Sequence, residues 1–354
     1  MLVFVFIVAL MVFYEMKITD SNEFHKDYIS PKSTSSINGL FTILIFLSHS
    51  VQYIDLSGVL DAPYVTLKSN LGQMVVVTFL FYSGYGIMES IKKKGIDYVK
   101  SIPTKRFLKV LRNMAIAVTM FLILNLILGI KYDIKRILLA YTGWTSIGNS
   151  NWYIFAVLIL YVITFISFMI FRKNHYIAVV AVTALTAVYV YVLMIYKIDS
   201  WYYDTVIMYS MGMWYSLFKD KIERIIMKND LIYTVTGGAC VALYYLFFLK
   251  RKSGIEWYTM WAVLFMALVV LFKMKIKIGN RILDWFGTHV FSVYILQRIP
   301  MMILKHFGLN ESHKYAFIVI SLFATIVLAE LFDTAILNCG NIFRKPKTIQ
   351  NKES

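Results

Sequence analysis

The stretch 37-INGLFTILIFLSHSV-51 decides the fold class. Thirteen of its residues suit a lipid bilayer or are indifferent to it, but His49, flanked by Ser48 and Ser50, is not one of them. An ionisable side chain placed inside an apolar run is costly and marks a functional position by default.

Composition extends that reading to the whole chain. Its 354 residues are 59% hydrophobic and 16% charged, with a mean hydropathy of +0.66. Those values fall outside the range of soluble domains and predict an all-α, polytopic transmembrane helical bundle. Lys and Arg outnumber Asp and Glu by 36 to 20. In a membrane protein that excess suits loops on an anionic cytoplasmic leaflet, not nucleic acid. Cys240 and Cys339 show neither disulfide nor metal spacing, and no metal site is expected.

Apolar runs of roughly 20 residues, the length that crosses the hydrocarbon core, recur along the chain. They predict about eleven spans: 1–14, 37–54, 71–88, 107–130, 152–171, 176–196, 201–218, 231–249, 257–272, 285–304 and 315–337. The domain reading is one integral membrane domain, with 1–14 an extra N-terminal span, 37–337 a core and 338–354 a cytoplasmic tail. Connections after odd-numbered spans hold 25 Lys and Arg and the others 10, with Arg298 inside a span. The positive-inside rule then places the C-terminus in the cytoplasm and the N-terminus outside. Trp and Tyr at span ends read as interfacial belts.

His49 lies 12 residues into its span, roughly 18 Å along a helix that starts in the cytoplasm. A neutral imidazole in contact with a hydroxyl suits a general base near neutral pH; the alternative is a packing hydrogen bond. Arg298, in "SVYILQRIP", should lie at similar depth. It is a candidate for stabilising an oxyanion or holding an anionic group, or else it snorkels to the surface. The loop "YTGWTSIGNSNWY" offers Trp144, Ser146, Asn149, Asn151 and Trp152, a neutral mixture of aromatics and amides that suits a polyhydroxylated ligand or a self-contained cap. At the other face Lys105, Lys109 and Arg112 follow i, i+4, i+7 beside Arg106, a cluster fit for the phosphates of a nucleotide-bearing donor or for the ordinary positive-inside signal. Glu330 and Asp333 stand one turn apart in the last span and could mark an ion path or pair with basic neighbours.

Taken together, these segments resemble the integral membrane acyltransferase-3 family. "NGLFTILIFLSH" is similar to its first core helix, "TFLFYSGYGIMES" to its Ser-Gly helix with Ser83, Gly84 and Tyr85, and "PTKRFLKVLRN" to the basic entry that follows. "SNWYI" and "SVYILQRIP", with Ser292, Tyr294 and Gln297, resemble later motifs. Where the family has a basic residue eleven positions before its histidine, this chain has Asn38, and the late motif ends in Gln297-Arg298 instead of histidine. The resemblance implies an O-acyltransferase that moves an acetyl or other short acyl group from acyl-CoA, its co-substrate, to a hydroxyl of a cell-surface or lipid-linked glycan. It implies His49 as the essential histidine and Arg106 with Lys109 as the basic motif. Arg298 joins His49 as the second catalytic candidate; Lys105, Arg106, Lys109 and Arg112 are donor candidates. The rival is a transporter or flippase of lipid-linked glycan built on Arg298, Glu330 and Asp333, although no internal repeat supports it.

Overall fold

The computed structural model describes residues 1–196 and 199–342. In chain order, α1 (Leu2–Phe13), α2 (Pro31–Ser50), α3 (Ala62–Leu71), α4 (Met74–Ile102), α5 (Leu108–Ile127), α6 (Ile134–Ala140), α7 (Trp152–Ile170) and α8 (His175–Ile195) come first. They are followed by α9 (Ile207–Ile226), α10 (Asp230–Lys250), α11 (Ile255–Lys275), α12 (Arg281–Thr288), α13 (Val290–Leu296), α14 (Arg298–His306), α15 (Leu309–Ser312) and α16 (Lys314–Ile342). Two dipeptides, β1 (Lys17–Ile18) and β2 (Ile276–Lys277), pair antiparallel.

Among the described residues, six helical segments are long and apolar enough to cross a membrane: α4 with α5, which run almost continuously, α7, α8, α10, α11 and α16. Of the other expected spans, α1 is only 12 residues long, and 285–304 is broken into the end of α12, all of α13 and most of α14. The expected span 201–218 begins later, at Ile207, because Ser200–Tyr202 forms a separate 3₁₀ turn. α16 runs on to Ile342, so 338–342 extends a helix; the remainder of the tail, 343–354, lies outside the described residues. The perimeter is apolar, with Leu126, Ile127, Leu231, Val235, Phe323 and Leu331 all more than 60% exposed. Such a surface is at home only in hydrocarbon.

Local chemistry sets the helix ends. Ser30 caps α2 by accepting from the Ser33 N–H, with Pro31 at the first helical position. Asn174, Asn229 and Asn280 cap α8, α10 and α12 in the same way. Pro300 lacks the N–H that would bond the Leu296 carbonyl, so α13 cannot continue into α14 without a break. The Gln297 side-chain amide folds back on the last turn of α13 and donates to the Tyr294 carbonyl at 3.0 Å.

Glycines let two helix pairs close. A Cβ on Gly84 of α4 would fall 1.9 Å from the Tyr209 carbonyl oxygen of α9, and one on Gly212 of α9 would fall 2.0 Å from the Phe81 carbonyl of α4. The same holds between α2 and α12, where Gly39 faces the Leu283 carbonyl at 1.9 Å and Gly287 faces that of Ser35 at 1.9 Å. Small residues at membrane helix contacts bring backbones close enough for dispersion to hold them.

Asp61, wholly buried after α2, gathers the Lys314 ammonium at 2.7 Å, the Met1 amino group at 3.0 Å and the Tyr315 hydroxyl at 3.1 Å. Burial pushes its carboxyl up, but those three bonds outweigh burial and hold it well below the usual carboxylate range. A carboxyl depressed in this way stabilises the fold above its unfolded pKa of about 4 and loses that contribution as the pH falls toward the folded value. Asp61→Asn is therefore expected to lower the Tm of detergent-solubilised protein by several degrees at pH 7. The gap from wild type should narrow below about pH 4; a gap independent of pH would contradict it.

Candidate functional site: three cavities in series along one helix

α2 runs through three consecutive cavities. Its first turns, with Pro31, Thr34 and Asn38, line a cavity of about 880 Å³; Thr42 and Ile45 line one of about 230 Å³; Ile45, Ser48 and His49 line a third of about 760 Å³. At 1.5 Å per residue, Asn38 and His49 stand roughly 16 Å apart along the axis. The cavities share walls in order. Phe79, Tyr153 and Val290 border the first and second, and Ile45, Val76 and Tyr294 border the second and third.

The third cavity assembles much of what the sequence singled out. His49, Arg298, Ser146, Asn149, Asn151 and Trp152 all line it, joined by Gln52, Tyr53 and Lys68. The Nδ1 of His49 is buried with no hydrogen-bond partner, and its ring lies 6.1 Å from that of Tyr294. Arg298, the first residue of α14, donates to Gln52 Oε1 at 2.7 Å, to Ser150 Oγ at 3.2 Å and to the Tyr53 hydroxyl at 3.3 Å. All three acceptors are neutral, so the guanidinium keeps its charge available to the cavity.

The loop from Tyr141 to Asn151 is tied largely to itself. Ser146 Oγ donates to the Asn149 carbonyl at 2.6 Å, and the Asn151 amide donates both to the Gly143 carbonyl and to the Tyr202 hydroxyl at 2.8 Å. Asn125 donates to the Ile147 carbonyl and Arg136 to that of Ser146. What remains open toward a ligand is the Asn149 Nδ2, buried and unpartnered, and the edge of Trp152. Trp144 packs edge-on against Phe155 at 5.1 Å and does not line the cavity.

The first cavity is polar and lysine-rich, lined by Lys26, Lys93, Lys94 and Lys219 with Ser83, Tyr85, Asn38 and Ser90. Acids near its rim are already paired: Asp27 with Lys277 at 2.8 Å, Glu89 with Lys92 at 2.6 Å, Glu223 with Lys219 at 3.0 Å. Lys26, Lys93 and Lys94 therefore set its charge. Asn38 Oδ1 is buried without a partner at the same place. Lys105, Arg106, Lys109 and Arg112 lie elsewhere, exposed around the π-helical turn Pro103–Phe107 and the start of α5. Arg106 donates to the Tyr98 hydroxyl at 3.1 Å.

Among the described residues Glu330 and Asp333 meet neither Lys nor Arg but His289, which the sequence did not single out, in the break between α12 and α13. Its Nε2 is 3.4 Å from Glu330 and 3.8 Å from Asp333, and its ring stacks on Trp285 at 4.3 Å. Ser292 donates to Asp333 at 2.6 Å and Trp285 Nε1 to Glu330 at 3.1 Å. Ser292 thus ties α13 to α16. Only the stacked Trp285-x-x-x-His289 spacing could have signalled this joint. Among the described residues no group of three His, Cys, Asp or Glu is placed to hold a metal.

No curated protein and no solved structure matches the chain. The model of the acyltransferase domain family does, over residues 36–332. That match runs from the second turn of α2, just before Asn38, to the α16 segment with Glu330 that meets His289, and it covers most of the chain: the protein is a member of the acyltransferase-3 family.

Proposed function

We propose that the protein transfers an acetyl or other short acyl group from acyl-CoA to a hydroxyl of a cell-surface or lipid-linked glycan, with His49 as the base. The observation that carries this reading is the series of three cavities with shared walls along α2, with a lysine-rich compartment at one end and the one holding His49 at the other. In the orientation given by the charge asymmetry, the lysine compartment faces the cytoplasm, where acyl-CoA is, and His49 lies toward the outside, where surface glycans are.

The donor's phosphates are polyanionic and match Lys26, Lys93 and Lys94. A pantetheine arm is long and slender, and in this reading it threads between Phe79, Tyr153 and Val290, the residues that the first and second cavities share. The glycan enters the third cavity against Trp152 and Asn149. His49 takes the proton from the acceptor hydroxyl as its oxygen attacks the thioester carbonyl carbon. The tetrahedral intermediate collapses with cleavage of the C–S bond, and the thiolate leaves as coenzyme A thiol after taking the proton back from the imidazolium. Arg298 holds the negative charge that develops, or an acidic group on the glycan.

Donor binding gives the test. Lys93→Ala/Lys94→Ala is expected to raise the donor KM tenfold or more, since hydrogen bonds to charged groups are worth about 1.5–3 kcal/mol each, with kcat nearly unchanged. Lys105→Ala/Arg106→Ala should change it little. The reverse pattern, measured in lipid nanodiscs with acetyl-CoA, would move the donor to the α5 cluster.

A further inference from the structure

The middle chamber has its own chemistry. It is lined mainly by Ile45, Val76, Phe79, Val110, Val157 and Phe291, and little of its lining surface is polar. Thr42 spends its hydroxyl on the Asn38 carbonyl at 2.7 Å. Tyr153 and Tyr161 also line the chamber, and two of its polar atoms are fully buried without a partner: the Tyr294 hydroxyl, on a residue 6% exposed, and Gln297 Oε1, on a residue wholly buried. Leaving a buried polar group unpaired costs about 1–3 kcal/mol, a penalty that a bound ligand relieves. One is a hydroxyl able to donate and the other an acceptor. They are complementary to a small group that carries a carbonyl oxygen next to apolar carbons and has an N–H or O–H close by.

We propose that this chamber is the acyl pocket: it receives the acyl chain and thioester carbonyl of the donor, its volume limits the chain to a few carbons, and Tyr294 donates from its hydroxyl to the carbonyl oxygen. The inference rests on the acyl-CoA reading above and adds a residue and a size limit to it. A dry cavity of roughly 150 Å³ holds benzene. By proportion, about 230 Å³ takes on the order of nine heavy atoms. The sulfur, the carbonyl and the adjoining methylenes of the donor fill about half, leaving room for an acyl chain of two to about four carbons. Tyr294 borders both this chamber and the third cavity. A carbonyl bonded to it therefore lies where an oxygen deprotonated by His49 arrives, and the hydroxyl carries the charge that builds on the carbonyl oxygen during attack. Donors aimed at such an oxyanion act mainly in the transition state.

The experiment uses the full chain in nanodiscs with acetyl-, butyryl- and octanoyl-CoA and de-acylated surface glycan, reading products by mass spectrometry. Wild type should use acetyl and butyryl donors and reject octanoyl. Val157→Ala should extend the usable chain, and Phe291→Leu provides the same enlargement if that variant folds poorly. Tyr294→Phe should lower kcat about 10²–10³-fold, with donor KM changed less than threefold. If wild type is active but enlarged variants keep the wild-type chain-length profile, or Tyr294→Phe changes KM and not kcat, the acyl-pocket assignment is overturned. If wild type transfers no acyl group from any of the three donors, the acyl-CoA reading itself falls, and this assignment with it.

Discussion

His49→Ala is expected to abolish acylation of surface glycan while the protein still accumulates in the membrane. The imidazole sits at the last turn of α2, lines the cavity shared with Arg298 and Trp152, and keeps an unpartnered Nδ1. Removal of a positioned base costs about 10²–10⁴ in rate. The loss should be larger here, because the alanine also leaves a gap beside Tyr294 where the reacting carbonyl is to be held. His49→Gln separates the two effects: it retains much of the shape and hydrogen bonding but cannot take a proton at neutral pH. It should be as inactive as the alanine variant. The measurement is mass spectrometry of surface glycans from cells carrying wild-type or variant gene, looking for loss of one acyl group per repeat. Full acylation with His49→Gln would reduce the histidine to a packing residue and end the general-base mechanism.

The second large effect is on folding. Gly84→Leu is expected to prevent the α4–α9 contact from forming, because even a single Cβ would lie 1.9 Å from the Tyr209 carbonyl. Overpacking a well-filled interface typically costs 1–3 kcal/mol. A four-carbon side chain facing a backbone carbonyl should exceed that range. The variant should yield little folded protein after solubilisation, whereas Gly86→Ala, with nothing within 4 Å of its added Cβ, should behave as wild type. Equal yields and Tm values for the two variants would contradict the close approach.

This contrast shows what could be read beforehand. In "FYSGYG" the resemblance picks out Gly84 beside Ser83, but it gives no physical reason; only the partner helix, more than a hundred residues away, shows why Gly84 has no room for a Cβ and Gly86 has. His49 and Arg298 stood out because a titratable group in an apolar run is anomalous on its own. The lysine compartment did not stand out: Lys26, Lys93, Lys94 and Lys219 come from three distant segments, each an unremarkable basic loop or helix end in sequence. The i, i+4, i+7 pattern of Lys105, Lys109 and Arg112 was visible for the opposite reason, being local, and it describes an exposed helix face. In the same way the Tyr141–Tyr153 loop was legible as polar and aromatic. That Asn151 is spent on Tyr202 and Gly143 could not be seen without the 3₁₀ turn that brings Tyr202 across. The expectation of one span over 285–304 overlooked the break after Leu296 that Pro300 imposes, and almost nothing signalled the joint at His289.

α10 differs from every other long helix in having no buried residue, and it holds to the bundle mainly through α11. Selection on most of its surface acts on the free energy of entering hydrocarbon and not on shape. Leu, Ile, Val, Phe and Met should therefore exchange freely along it, and a mutational scan should find a helix specified by its solvent, beside neighbours specified by their contacts.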